Sequence, residues 1–187
     1  MRRPDRQPPP PLDLAALERL ALRYVERFAT TRGRLADYLR RKLRERGWQG
    51  SQAADPDAVA ARMVELGYID DRAYAEAKAG TMAQRGLGAR RVTGALRQAR
   101  VGAEDINALA EGTDARALEA ALAFARRRRI GPFADAPAER EMRERQIAAM
   151  ARAGHPFALA RRLAEAAPGA SIEDEARFGH CEDDQPW

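Results

Sequence analysis

One cysteine, Cys181, and two histidines, His155 and His180, are all that this 187-residue chain offers to thiol or imidazole chemistry. A lone cysteine excludes an intramolecular disulfide framework and fits a reducing compartment. Two histidines exclude a multi-histidine metal site within one chain. Val, Ile and Thr are scarce while Ala, Arg, Leu and Glu abound, which points away from sheet and towards an all-α protein. No apolar run approaches the roughly 20 residues of a membrane span, and the opening MRRPDRQPPPP lacks the apolar region of a signal peptide. A cytoplasmic protein with no membrane association is expected.

Lysine is nearly missing as well. Of 33 basic residues all but Lys42 and Lys78 are arginine, against 28 acidic ones, for a formal charge of +5. Arginine abundance alone fits codon bias in a GC-rich genome as well as it fits phosphate or carboxylate recognition by a planar fork. The distribution is more telling. After Ser171 the chain holds Glu173, Asp174, Glu175, Glu182, Asp183 and Asp184 against Arg177 alone. The remainder is correspondingly more basic, which favours an anionic partner.

What is present is helical periodicity. Leu35, Leu39 and Leu43 recur at four-residue spacing before Gly47; Val59, Met63 and Leu66 precede Gly67; Val92 pairs with Leu96, and Ile106 with Leu109 and Ala110. Such spacing puts apolar groups on one face of each helix, and Gly marks the stops. Leu39, Leu43 and Gly47 map onto Val92, Leu96 and Arg100 at an offset of 53, then onto Gln146, Met150 and Gly154 after a further 54. Nine helices are expected, over 14–30, 34–46 and 56–66; 71–85, 89–100 and 103–111; 114–129, 137–153 and 156–166. They form three tandem, helix-turn-helix-like units, 14–67, 68–112 and 113–167, between a disordered Pro-rich head (1–13) and a disordered acidic tail (168–187). A unit of about 50 residues buries little surface alone, so the units are expected to stack into an elongated, curved array.

ELGYIDDRAYA (65–75) sits at the joint between the first two units. Gly67 ends a helix, Tyr68 and Ile69 are expected to pack back on it, and Asp70 or Asp71 to cap the next helix, a role worth about 1 kcal/mol. An acid/base or metal role for the two carboxylates is the weaker alternative. LGYIDDRAYA followed by RGLGARRVTGALRQARV also resembles the central signature of the RecX regulatory proteins. RGRLADYLRRKLRERGW is similar to that family's opening helix pair, and MARAGHPFALARRL to its third unit. The resemblance covers approximately residues 14–167. It implies three repeated three-helix units without a catalytic site, and a modulator of the RecA recombinase that binds along the RecA–DNA filament and restrains recombination, ATPase and coprotease activity in DNA repair and the SOS response. Two positions depart from the pattern. Arg100 stands where a helix-ending Gly is usual, with Gly102 two residues later, and Gln146 occupies an expected apolar position.

No catalytic constellation emerges, so neither an enzyme nor a cofactor is expected. RGLGAR has two glycines but no preceding strand and no Gly-Lys-Ser/Thr ending, and is better read as a turn between helices than as a phosphate loop. HCEDD (180–184) lies in a polar tail without a preorganising core, and Cys181 is expected to be an exposed, oxidisable thiol. The basic surface remains. Arg40, Arg41 and Arg44 flank the first leucine stripe, and Arg90, Arg91 and Arg97 flank Val92 and Leu96. RRRR (126–129), Arg161 and Arg162 lie further along. Any one cluster is explained as a solvated helix face with i, i+4 partners; recurrence on successive units suits a filament containing nucleic acid. Aromatic residues are sparse among these arginines, so phosphate or acidic-protein contacts are expected rather than base stacking. The expected partners of this monomer are the RecA filament and DNA, bound through its backbone without sequence specificity. The alternative is a sequence-independent DNA-binding protein with no recombinase partner.

Overall fold

A computed structural model describes residues 10–110 and 113–171, and within them the chain is all-α. The helices are α1 (Leu14–Val25), α2 (Arg32–Arg46), α3 (Pro56–Glu65), α4 (Asp71–Gln84), α5 (Ala89–Gln98), α6 (Ala103–Ala110), α7 (Thr113–Arg128), α8 (Arg140–Arg152) and α9 (Phe157–Glu165). A short 3-10 turn, Gly131–Phe133, lies between α7 and α8. Among the described residues the sole β-type pairing is an isolated bridge between Leu12 and Trp48. By compactness the chain forms two units. The first runs to Ala77 and takes in Ala95–Ala110; the second takes Lys78–Gly94 and the chain from Glu111 onward. The repeat borders expected after 67 and 112 are drawn on a different criterion, and the middle helices α4 and α5 each contribute to both compact units.

The first unit closes over the stripes read from the sequence. Leu17 and Ala21 of α1, Leu35, Ala36 and Leu39 of α2, and Val59, Ala60 and Met63 of α3 are all buried in one cluster. Leu12 belongs to it too. Its amide donates to Gly47 O and its carbonyl accepts from Gln49 N, both at 2.9 Å, and Asp13 caps α1 by accepting from Ala16 N at 2.7 Å. The head expected to be disordered through residue 13 is therefore fastened at its last two positions, because Leu12 is an apolar side chain next to a core that can take it. Helix α1 stops five residues short of the expected end. Thr31 leaves the helix to cap α2, accepting from Arg34 N at 3.2 Å, and its hydroxyl donates to Ala99 O at 2.5 Å. A hydroxyl that satisfies helix ends on both sides outweighs one more turn of α1.

In the second unit Ala121, Phe124 and Ala125 of α7 pack with Ile130, Met150, Ala153, Ala160, Leu163 and Ala164. Here too the start of a helix moves: α8 begins at Arg140 rather than 137, after Pro137. Gln146 is half-buried in α8, and its Oε1 has no hydrogen-bond partner among the described residues.

Five of the helix stops among the described residues share one geometry. Tyr68 N donates to Met63 O, Leu87 N to Met82 O, Val101 N to Leu96 O, Ile130 N to Ala125 O and His155 N to Met150 O, at 2.9–3.2 Å. In each case the residue before the donor has positive φ, as Schellman caps require. The three repeat-equivalent stops Gly47, Arg100 and Gly154 have φ of 79°, 60° and 97°. Arg100 thus takes the left-handed conformation itself, and Gly102 serves instead at the start of α6, where its carbonyl accepts from Ile106 N at 3.2 Å. Arg100 is held there by its Nε, 3.1 Å from Asp37 Oδ2, and by its Cβ, which lies where Gly33 leaves room.

Candidate nucleic-acid interface

The Asp70–Asp71 pair is structural on both counts, and the two carboxylates serve different helices. Asp70 Oδ1 accepts from Ala73 N at 2.8 Å and its carbonyl accepts from Tyr74 N, so Asp70 caps α4. Asp71, the first residue of α4, accepts instead from Arg32 N at 2.8 Å, satisfying the first amide of α2. Burial pushes the Asp71 carboxyl above its ordinary range, opposed by that amide. Of the two residues expected to pack back on α3, Ile69 is buried and Tyr68 is exposed, as is Leu66. A leucine in the last turn of a helix need not face the core once the chain turns away at Gly67.

RGLGAR is a turn between helices with a specific use. Gly88 N donates to Ala153 O at 2.9 Å and Arg90 N to Gly154 O at 3.2 Å. The orphan amides opening α5 are thus satisfied by carbonyls closing α8, and the two helix dipoles meet end to end. A Cβ on Gly88 would collide with the backbone of Gly154 and His155. Those amides are spent inside the protein, not offered to a phosphate. His155 lies beneath, buried, with Nε2 3.0 Å from Gly86 O and its ring edge-on to Phe124 at 5.5 Å. Burial lowers its pKa, so the neutral ring donates from Nε2.

The arginines divide by environment. Arg40, Arg41, Arg44 and Arg97 belong to the first unit, Arg90 and Arg91 to the second. Arg40 is committed: it pairs with Asp37 at 3.0 Å and with Asp57 at closer range, tying α2 to α3. The Asp57 hydrogen bond, ahead of Asp37, raises its pKa further. Arg41 approaches Glu45 at 3.6 Å. Arg44, Arg90, Arg91 and Arg97 are exposed and form no ion pair among the described residues. Arg90 and Arg91 line one depression together with Arg152, and Gly154 forms part of its floor. Arg152 was not singled out in the sequence, and nothing in its spacing marks it.

The RRRR run is mostly structural. Arg126 lies 4.9 Å over Phe133, Arg128 lies 5.6 Å over Phe124, and Arg129 pairs with Asp135 at 3.0 Å. Arg161 pairs with Glu165 at 3.0 Å. Aromatic residues, expected to be sparse among the arginines, gather beside three of them in the first unit as well. Tyr24, Phe28 and Tyr38 line a depression with Arg23, Arg27 and Arg41. A signal was there: Arg23–Tyr24 and Arg27–Phe28 repeat at four-residue spacing, which brings like residues to one side of a helical turn.

Among the described residues no His/Cys/Asp/Glu cluster of metal-binding size occurs, and no helix is long and apolar enough to cross a membrane. Cys181 and the HCEDD segment lie outside the described residues.

Comparison with known proteins agrees with the resemblance. The family described as RecX, second three-helix domain, matches residues 70–109. The chain is 34% identical over 160 residues to Regulatory protein RecX of Myxococcus xanthus (strain DK1622), covering 81% of this chain and 86% of that one. It is likewise 34% identical over 157 residues to Regulatory protein RecX of Thermobifida fusca (strain YX), covering 82% and 80%. Among solved structures, RecX from Lactobacillus salivarius superposes with a TM-score of 0.58 at 16% identity, over 80% of this chain and 92% of that one, which is a likeness of fold.

Proposed function

The chain belongs to the RecX family of regulatory proteins, and we propose that it binds RecA and the RecA–DNA filament in the cytoplasm, as a monomer, and restrains recombinase, ATPase and coprotease activity in DNA repair and the SOS response. The observation that carries the reading is 34% identity, over four-fifths of the chain, to proteins named Regulatory protein RecX. The surface supports it. Exposed arginines without carboxylate partners occur on both compact units, as contacts to a polyanion require, and the amides and carboxylates of the most suggestive motifs are spent within the fold. The mechanism is multivalent. Weak contacts to protomers and to phosphates combine through effective concentration, so that modest individual affinities give strong retention on a filament. It requires no cofactor and no covalent chemistry.

The test is titration of the protein into RecA's DNA-dependent ATPase, alongside its binding to the same DNA without RecA. A fall in turnover at protein concentrations well below those that coat naked DNA supports a filament modulator. The exposed arginines also favour a second reading, a DNA-binding protein with no recombinase partner. Equal affinity for naked DNA and filament, with inhibition only through competition for DNA, establishes that reading instead.

A further inference from the structure

The depression between the end of α1 and the middle of α2 is built differently from the other basic surfaces. Tyr24 and Tyr38 stack with ring centroids 4.4 Å apart and planes 27° apart, and Phe28 tilts against Tyr24 at 5.2 Å. Helix α1 ends at Val25, and the turn that follows carries Phe28 N to Tyr24 O at 3.0 Å. That turn leaves Phe28 55% exposed. The arginines complete the wall. Arg41 sits 5.4 Å over the Tyr38 ring. Arg23 and Arg27 form no ion pair among the described residues, although Glu26 lies between them in sequence. The depression encloses about 470 Å³, within the roughly 300–1,000 Å³ of small-ligand sites.

Its chemistry is narrow. A partner helix would ask for an aliphatic groove, whereas Leu20 is the one aliphatic side chain in this wall. Flat rings beside guanidinium groups suit a ligand that is flat and apolar at one point and anionic a few ångströms away. A nucleotide in a single strand has that form, with a free base face to stack and a phosphate on either side. A duplex does not, because its base faces are already covered by their neighbours. We propose that this depression is a single-strand nucleic-acid subsite, in which one base stacks on Phe28 and the flanking phosphates engage Arg23, Arg27 and Arg41. The proposal rests on nucleic acid being a partner, as argued above, and adds the form of the nucleic acid and the residues that read it.

The experiment measures binding of the full chain to a fluorescent single-stranded oligonucleotide, to the same strand with its bases replaced by abasic sites, and to the duplex. Wild type is compared with Phe28→Leu, which keeps apolar bulk without a flat face, and with Phe28→Trp, which restores the face. Circular dichroism checks that each variant is folded, as the exposure of Phe28 leads one to expect. Phe28→Leu should bind the single strand about tenfold more weakly, the size of one lost base–aromatic stack, and Phe28→Trp should bind it as wild type does. The difference should vanish on the abasic strand and on the duplex. Equal binding of the single strand by wild type and Phe28→Leu overturns this site while leaving nucleic acid as a partner. A loss that persists on the abasic strand, or displacement of the strand by an equal concentration of an acidic, aromatic peptide, also overturns it, the latter in favour of a protein ligand. If wild type binds none of the three nucleic acids, the site and the nucleic-acid part of the functional reading fall together.

Discussion

Asp70 and Asp71 look alike in sequence and part company in space, so single substitutions separate them. Asp70→Ala removes the α4 cap and should lower stability by about 0.5–2 kcal/mol in urea unfolding, while Asp70→Asn should cost little. Asp71→Ala orphans the first amide of α2 and should also destabilise. Asp71→Asn keeps an acceptor for Arg32 N. Since burial raises the Asp71 pKa, its ionised form weighs against the fold above that pKa, and the Asn variant should be at least as stable as wild type at neutral pH. A clear loss of stability in Asp71→Asn would mean that the charge, not the acceptor, matters. His155 gives the opposite pH dependence to a salt-bridged histidine. Its folded pKa lies below the unfolded value of about 6.5, so the unfolded chain takes up protons first as pH falls. The stability it contributes is present above about pH 6.5 and is lost progressively below it. Comparing the pH dependence of the unfolding midpoint between wild type and His155→Gln should show this component in wild type only.

Between elements the most exacting contact is the end-to-end junction of α8 and α5. Gly88→Ala drives a Cβ into the Gly154 and His155 backbone and should destabilise by about 1–3 kcal/mol, as overpacking does. Gly94→Ala, inside α5 itself, meets nothing within 4 Å and should gain roughly 0.5–1 kcal/mol. Equal responses in urea unfolding would show that the junction yields freely. This contact also marks the limit of what sequence could tell. The leucine, valine and methionine stripes repeat at helical spacing, so helix order and core faces were legible, and so was the recurring stop, since Gly47 and Gly154 announce a left-handed residue. Arg100 does not announce it: its conformation is held by Gly33 and Asp37, dozens of residues away. The partner of Asp71 was hidden for the same reason, because α2's first amide reaches it only in the folded unit. So was the company kept by Tyr38, whose ring meets Tyr24 across a loop that sequence spacing does not fix. Local periodicity can be read along the chain; pairings between helix ends cannot.

Across the whole molecule the question is which arginines meet phosphate. Arg40 is a poor probe, because reversing it would leave Asp37 and Asp57 facing a third carboxylate, and lost binding would then report lost folding. Arg41 is shared with the aromatic depression. Arg44, Arg90, Arg91 and Arg97 are exposed, form no ion pair among the described residues, and lie off the Leu35/Leu39 and Val92/Leu96 faces. Reversing these four to Glu should leave the unfolding transition in place. If each meets a phosphate, the slope of log affinity against log salt becomes shallower by about 0.7–0.9 per residue, or by roughly 3 in all. Titrating a labelled strand, bare and within a RecA filament, at several salt concentrations reads this directly. Loss of affinity for both with the shallower slope assigns the four to phosphate. Loss confined to the filament, with the slope on bare DNA unchanged, assigns them to acidic groups on the recombinase, where the contacts are unaccompanied by counterion release from DNA. Unchanged affinity for both would return these arginines to the role of a solvated helix face and leave filament binding to surfaces of another kind.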